Sequence, residues 1–219
     1  MRKALFCLIA FLGLHVNLYG ALLSYEERDY LDKKREITMC IDPNWLPFEQ
    51  NKNNEHIGIV GDYMRHLSSL IKTPIVLVPT HSWEQSLEFA KQRRCDIISS
   101  AVETPGRKTF LSFTKPSLQY SVAIATTSDK SFIDSMDTIA DKKLAIIKGY
   151  AFGELLQSRY PHLQFTEVAT LDEGFSLVRK GLVFGYIDPL PVLAYAIQKN
   201  AFESLKINGK FDEKWHLSI

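Results

Sequence analysis

Cysteine is scarce: the sequence holds only Cys7, Cys40 and Cys95 and no Cys-x-x-Cys pair. That leaves no thiolate set for a structural zinc site. The six histidines, His15, His56, His66, His81, His162 and His216, are scattered without close pairing, so no metal and no other cofactor is expected. A basic excess is also lacking. The formal net charge is +1, and the local Lys33-Lys34-Arg35 and Arg93-Arg94 groups read as solvated faces, which argues against a nucleic-acid partner. Beyond the first residues there is no long apolar run, no repeat at a fixed period and no low-complexity tract.

What is present begins with an export signal, expected over residues 1–21. Arg2 and Lys3 precede an unbroken apolar run from Ala4 to Leu14, with the small residues Gly20 and Ala21 at a plausible cleavage point. An uncleaved N-terminal anchor is the alternative, although the run is short for a spanning helix. Cys7 lies inside the run, away from a lipidation position. Removing the first twenty residues takes away two cations and no anion, leaving 24 Lys and Arg against 25 Asp and Glu. The mature chain is therefore nearly neutral. At 46% hydrophobic and 23% charged residues it is ordinary globular material, enough for one large domain or two small lobes.

Hydrophobic periodicity and caps order the chain as α/β. Ser24, with Glu27 three residues on, opens a helix to Lys34; Ile37–Ile41 is a strand ended by Asp42-Pro43-Asn44-Trp45-Leu46-Pro47-Phe48, whose two prolines leave Asp, Asn, Trp and Phe exposed at its end. The polar stretch 51–54 reads as a turn. Gly61–Lys72 reads as an amphipathic helix with Tyr63, Met64, Leu67, Leu70 and Ile71 inward. Ile75–Pro79 is a strand, Ser82 and Gln85 open a helix to about Arg93, and Asp96–Ser100 is the third strand of an open parallel unit.

Tyr120–Thr126 then leaves this unit for a second, smaller one. It comprises strands at Leu144–Ile147, Phe165–Val168 and Phe184–Ile187 and helices after Gly149-Tyr150, after Thr170 and near Val192–Asn200. Leu205–Gly209 and Lys214–Ile219 read as edge strands returning to the first unit. The expected lobes are 22–122 plus 210–219, and 123–209. Export makes a Cys40–Cys95 bridge available, but one cysteine mid-strand and the other at the start of a parallel neighbour stand too far apart on a straight register. Two buried free thiols are expected.

In open parallel sheets ligands bind beyond the carboxyl ends of the strands. The first unit offers Asp42, Trp45 and Phe48 there, and Ser99, Ser100, Thr104 and Arg107 after its third strand; the second offers Gly149 and Tyr150 at a helix start and Asp188 after the Phe184 strand. Facing each other across a cleft, these residues suit a small polar molecule. An Arg just past a Pro-Gly turn supplies a planar fork for a carboxylate.

At these positions the sequence resembles the bacterial extracellular solute-binding proteins of family 3, the polar amino-acid-binding type with a two-lobed Venus-flytrap (periplasmic-binding-protein type II) fold. Trp45-x-Pro47-Phe48, Gly58 to Asp62, Ser82-Trp83, Asp96-Ile97-Ile98, Thr104-Pro105-Gly106-Arg107, Phe113 to Pro116, Lys148-Gly149 and Gly181 to Asp188 carry the likeness. The lead-in Leu23 to Arg28 and Trp45-x-Pro47-Phe48 are similar to the subset fused to membrane-bound sensor kinases and cyclases. The resemblance implies that Arg107 clamps a ligand carboxylate and that Asp188 takes its ammonium. It further implies that Trp45 and Phe48 pack on the ligand, that a Ser100 or Thr104 hydroxyl completes the site, and that hinges lie near Val122–Thr126 and Leu205–Gly209.

Two departures stand out. Tyr150 occupies a position where the family usually has Ser or Thr, and Phe184 replaces a frequent Asp; both turn the expectation toward another carboxylate or an aromatic-stacking guest. The family's chains normally continue beyond the point matching Ile219. The function implied is a periplasmic binding module, with an ABC permease or a sensor output domain as partner. The alternatives are a cyclic-carboxylate dehydratase-like enzyme, with Glu103 or Glu173 moving protons, and a truncated, non-binding remnant.

Overall fold

The computed structural model describes residues 23–200 and 203–219; the expected signal, 1–21, lies outside the described residues. Helix α1 (Tyr25–Lys34) begins at a capping box in which Ser24 and Glu27 satisfy each other's backbone N–H. It leads into β1 (Ile37–Cys40), the centre of a three-stranded parallel sheet completed by strands further along. Before those strands the chain makes a small antiparallel sheet, β2 (Asn44–Trp45), β3 (Glu49–Lys52) and β4 (Glu55–Ile57). Its β3–β4 turn uses Asn53 and Asn54 at positive φ, a conformation Asn tolerates better than most residues. Stretch 51–54 is thus half strand and half turn.

Helix α2 (Ile59–Ile71) starts at Gly58, whose φ of 101° and closeness to the Phe48 carbonyl leave no room for a Cβ. Val60, Met64 and Ile71 face inward, but Tyr63 and Leu70 are exposed, contrary to the sequence pattern: the buried stripe is narrower than the apolar one. Strand β5 (Ile75–Leu77), helix α3 (Trp83–Lys91), capped by the Ser82 hydroxyl, and β6 (Ile97–Ile98) complete the first sheet in the order β5-β1-β6.

The expected third strand breaks after β6. Ser99 and Ser100 turn the chain, and β7 (Ala101–Val102) joins a different sheet. That second sheet contains β8 (Leu118–Thr127), β9 (Lys143–Ile147), β10 (Gln164–Val168), β11 (Gly185–Pro189) and β12 (Leu205–Ser218), in the order β10-β9-β11-β8-β12-β7. Helices α4 (Ala151–Arg159), α5 (Leu171–Arg179) and α6 (Leu190–Lys199) connect its strands. Where two edge strands were expected, β12 is one strand with register shifts at Ile207/Gly209 and Lys210/Lys214, and it is interior, hydrogen-bonded to β8 on one side and β7 on the other. The result is a two-lobed α/β molecule with mixed sheets, one lobe around β5-β1-β6 and the other around β10-β9-β11.

Cys40 and Cys95 form a disulfide, with Cα atoms 5.8 Å apart. The expectation of free thiols fails because it extends the strand register back to Cys95, whereas residues 94–96 are bends that precede β6. The bridge sits beneath α3 with Trp83, Ala90 and Ile98. A single apolar cluster runs between the lobes, joining Met39, Ile41, Trp45 and Phe48 to Leu144, Phe152 and Trp215.

Candidate functional site

Asp42 follows β1 and is buried. Its backbone N–H donates to Glu49 Oε1 at 2.9 Å, and its Oδ1 accepts from the Asn44 N–H at 3.0 Å. Its other oxygen, Oδ2, accepts from the Tyr150 hydroxyl at 2.7 Å, a bond from the start of α4 in one lobe to the end of β1 in the other. Burial pushes Asp42 up to about 6; the Asn44 and Tyr150 donors oppose the shift and the Glu49 charge adds to it. Tyr150 itself is held well above its ordinary value, by burial first and then by the Asp42 and Asp188 charges, so it remains a donor.

Two further interlobe contacts converge on Gly149. Its carbonyl accepts from Arg107 Nη2 at 2.9 Å and from Trp83 Nε1 at 3.2 Å. Arg107, 7% exposed, also donates through Nη1 to the Val102 carbonyl at 2.8 Å and lies over the Trp83 ring at 5.2 Å. Thr104 holds the Arg107 backbone N–H at 3.2 Å. Burial pulls the guanidinium down to about 10, opposed by the Glu154 charge, so it stays cationic at neutral pH. Among the described residues it forms no ion pair. A buried cation with only neutral carbonyl partners is unusual, since buried charges are ordinarily paired.

Asp188, at the end of β11, accepts from Trp45 Nε1 at 3.1 Å and from the Tyr186 hydroxyl at 2.8 Å. Burial lifts it to about 8, outweighing those two donors, with the Asp42 charge adding to the rise. The Trp45 contact also runs between the lobes, as do the Tyr160 hydroxyl to Glu213 at 3.1 Å and, at the surface, the Lys148–Glu84 and Arg159–Glu213 ion pairs. Rings fill the rest: Tyr150 stands edge-on to Trp45, Trp83 and Trp215 at 6.2, 6.3 and 5.3 Å. The cavity left among Asp42, Trp45, Trp83, Ser100, Arg107, Tyr150 and Trp215 is about 20 Å³, room for about one water.

The structure therefore gathers Asp42, Trp45, Ser100, Arg107 and Tyr150 around one cavity, with the Gly149 carbonyl beside it. Four expected residues stand off it. Phe48 is fully buried under Trp45 and Tyr120 at 4.6 and 4.4 Å, because the Trp45–Phe48 turn folds onto the core instead of leaving its rings exposed. The Ser99 hydroxyl donates to Glu49 Oε2, Thr104 is used in positioning Arg107, and Asp188 lies behind Trp45. Sequence reasoning missed Trp215 and Glu49. Trp215, 4% exposed, comes from β12, and its indole N–H has no partner among the described residues. Buried Glu49 organises the Asp42 turn, also accepting from or pairing with His56 Nε2 at 3.1 Å. An acidic residue beside Pro47-Phe48 was its only signal.

The model of the bacterial extracellular solute-binding proteins, family 3, matches residues 37–214. The chain belongs to this family. It is 19% identical over 204 residues to the virulence sensor protein BvgS of Bordetella pertussis, covering 92% of this chain but 16% of BvgS, so it spans about a sixth of that relative. The solved VFT2 domain of BvgS superposes with a TM-score of 0.79 at 18% identity, covering 89% of this chain and 84% of that one. A truncated, arginine-bound ArgBP from T. maritima gives 0.72 at 15% identity, covering 87% and 91%. The fold is thus the Venus flytrap, and the chain is a solute-binding-type module similar to both sensor and binding proteins.

Proposed function

We propose that this module acts in the periplasm, binding a small polar solute that carries a carboxylate, such as an amino acid, in the cleft between its lobes. The single observation supporting this most is Arg107: a buried guanidinium at the cavity, held by carbonyls and without an ion pair among the described residues. A ligand carboxylate would exchange neutral partners for a bidentate ionic one. A ligand ammonium would meet Asp42 first, with Asp188 reached once Trp45 shifts. Residues 22–122 with 210–219 would form one lobe and 123–209 the other, flexing near Val122–Thr126 and Leu205–Gly209; the pairing of β8 with β12 and the Ile207/Gly209 register shift support hinges there. The likeness to BvgS favours a sensor output partner over an ABC permease, with export through the N-terminal signal.

One observation favours a second reading, an inner cleft that takes no solute: about 20 Å³ is free among Asp42, Trp45, Trp83 and Trp215, so an amino acid enters that space only if Tyr150 moves, and the room present without such a movement is the groove of about 530 Å³ outside Arg107 and Gly149. The enzyme reading has no such support. Glu103 pairs with Lys108 at the surface, and Glu173 caps α5 through the Ala169 N–H. A thermal-shift screen of the mature chain against amino acids, small carboxylates and polyamines separates the readings. A carboxylate should raise the melting temperature of the native chain and leave Arg107→Ala unmoved; no shift for any carboxylate, or one indifferent to Arg107, would reject the carboxylate site.

A further inference from the structure

Tyr150 is the N-cap residue of α4, yet its side chain makes no capping bond. It crosses the cleft instead. Its hydroxyl donates to Asp42 Oδ2 at 2.7 Å, and its ring is received edge-on by Trp45, Trp83 and Trp215, the favoured geometry for aromatic neighbours. Three indole rings and one carboxyl acceptor, contributed by β2, α3, β12 and the turn after β1, thus surround a single phenol group. Among the described residues the enclosure leaves one demand unmet, the buried Trp215 Nε1–H. Such a donor costs free energy unless an acceptor reaches it, and the cavity beside it is too small for more than about one water.

We propose that the cleft is a phenol-recognition site whose occupant is supplied by the chain itself as Tyr150, and that the solute it takes is a small hydroxyaryl compound that replaces this side chain. The proposal rests on the reading of the cleft as the solute site and names the class of that solute. The hydroxyl of the guest donates to Asp42 and its ring enters the tryptophan box. An acceptor on the ring then lies within the same cavity as Trp215 Nε1 and Arg107, which makes a hydroxyaryl carboxylate the best-matched member of the class. Competition with the tethered side chain weakens binding to the native protein, because displacing Tyr150 forfeits its bond to Asp42.

The test is chemical complementation. Tyr150 is half-buried, and truncating it to Ala leaves, among the three indoles, an aromatic-sized recess of the kind that takes up free aromatic molecules. Calorimetric titration of Tyr150→Ala with phenol should show saturable binding about tenfold tighter than with benzene, the margin expected of one hydrogen bond to a carboxyl group. Adding Asp42→Ala should remove that preference, and the native protein should bind phenol at least tenfold more weakly than Tyr150→Ala. Binding of neither compound, equal binding of both, or equal phenol affinity in native and variant proteins would overturn the proposal. If Tyr150→Ala does not fold alone, refolding in phenol but not in benzene supports it, and failure in both overturns it. Phenol does not call on Arg107, so failure of the carboxylate screen leaves this result independent.

Discussion

Asp42 and Asp188 are buried carboxyls that accept hydrogen bonds across the cleft, from Tyr150 and from Trp45 respectively. Burial raises both, to about 6 and about 8, above their ordinary value of 3.8. The folded state therefore holds protons that the unfolded chain releases, and stability falls as pH rises between those values. The contribution of these groups is fully present below about pH 4 and is lost by about pH 8. Urea unfolding across that range should show the decline, and Asp188→Asn should flatten its upper part; a steeper decline in that variant would contradict the assignment. The positions of Arg107, Tyr150 and Asp42 could be read from turn chemistry at strand ends. Their partners could not, because Arg107 is satisfied by main-chain carbonyls of Val102 and Gly149, and no side-chain pattern records a carbonyl.

Helix α5 shows how an element is placed by a feature that leaves little periodic trace. Thr170 caps it through the Glu173 N–H, as its sequence predicts. Its docking onto the sheet depends on Gly174, where an added Cβ would stand 2.4 Å from the Tyr186 ring. Both partners are buried in the second-lobe core, with Phe175 edge-on to Tyr186. Gly174→Ala should thus destabilise by about 1–3 kcal/mol despite the better helix propensity of Ala, measured from the urea midpoint; a gain would show that α5 shifts freely. Capped helices and apolar parallel strands were legible. The β2–β4 sheet and the continuity of β12 were not, since strands of two to four residues are too short to show a period and the β12 bulges disguise one strand as two. Trp215 reaches the cleft only through that continuity.

At the scale of the molecule, the Cys40–Cys95 bridge closes a loop of 55 residues' separation within the first lobe. Loop-closure entropy for that length gives about 4 kcal/mol, so reduction, or Cys40→Ser with Cys95→Ser, should lower the unfolding free energy by about 2–4 kcal/mol. An unchanged midpoint in dithiothreitol would contradict this. The lobes meet through the hydrogen bonds of Tyr150, Arg107, Trp83 and Trp45 and through a shared aromatic cluster, so the cleft closes on the chain's own side chains. Spin labels at Lys91→Cys and Gln157→Cys, exposed positions lining the groove beside Arg107, report that closure directly. Pulsed electron–electron distance measurement without solute should give one short, narrow distribution in the native background, longer and broader in Tyr150→Ala. A long, broad distribution in the native background, or one that Tyr150→Ala leaves unchanged, would contradict a cleft held shut from within.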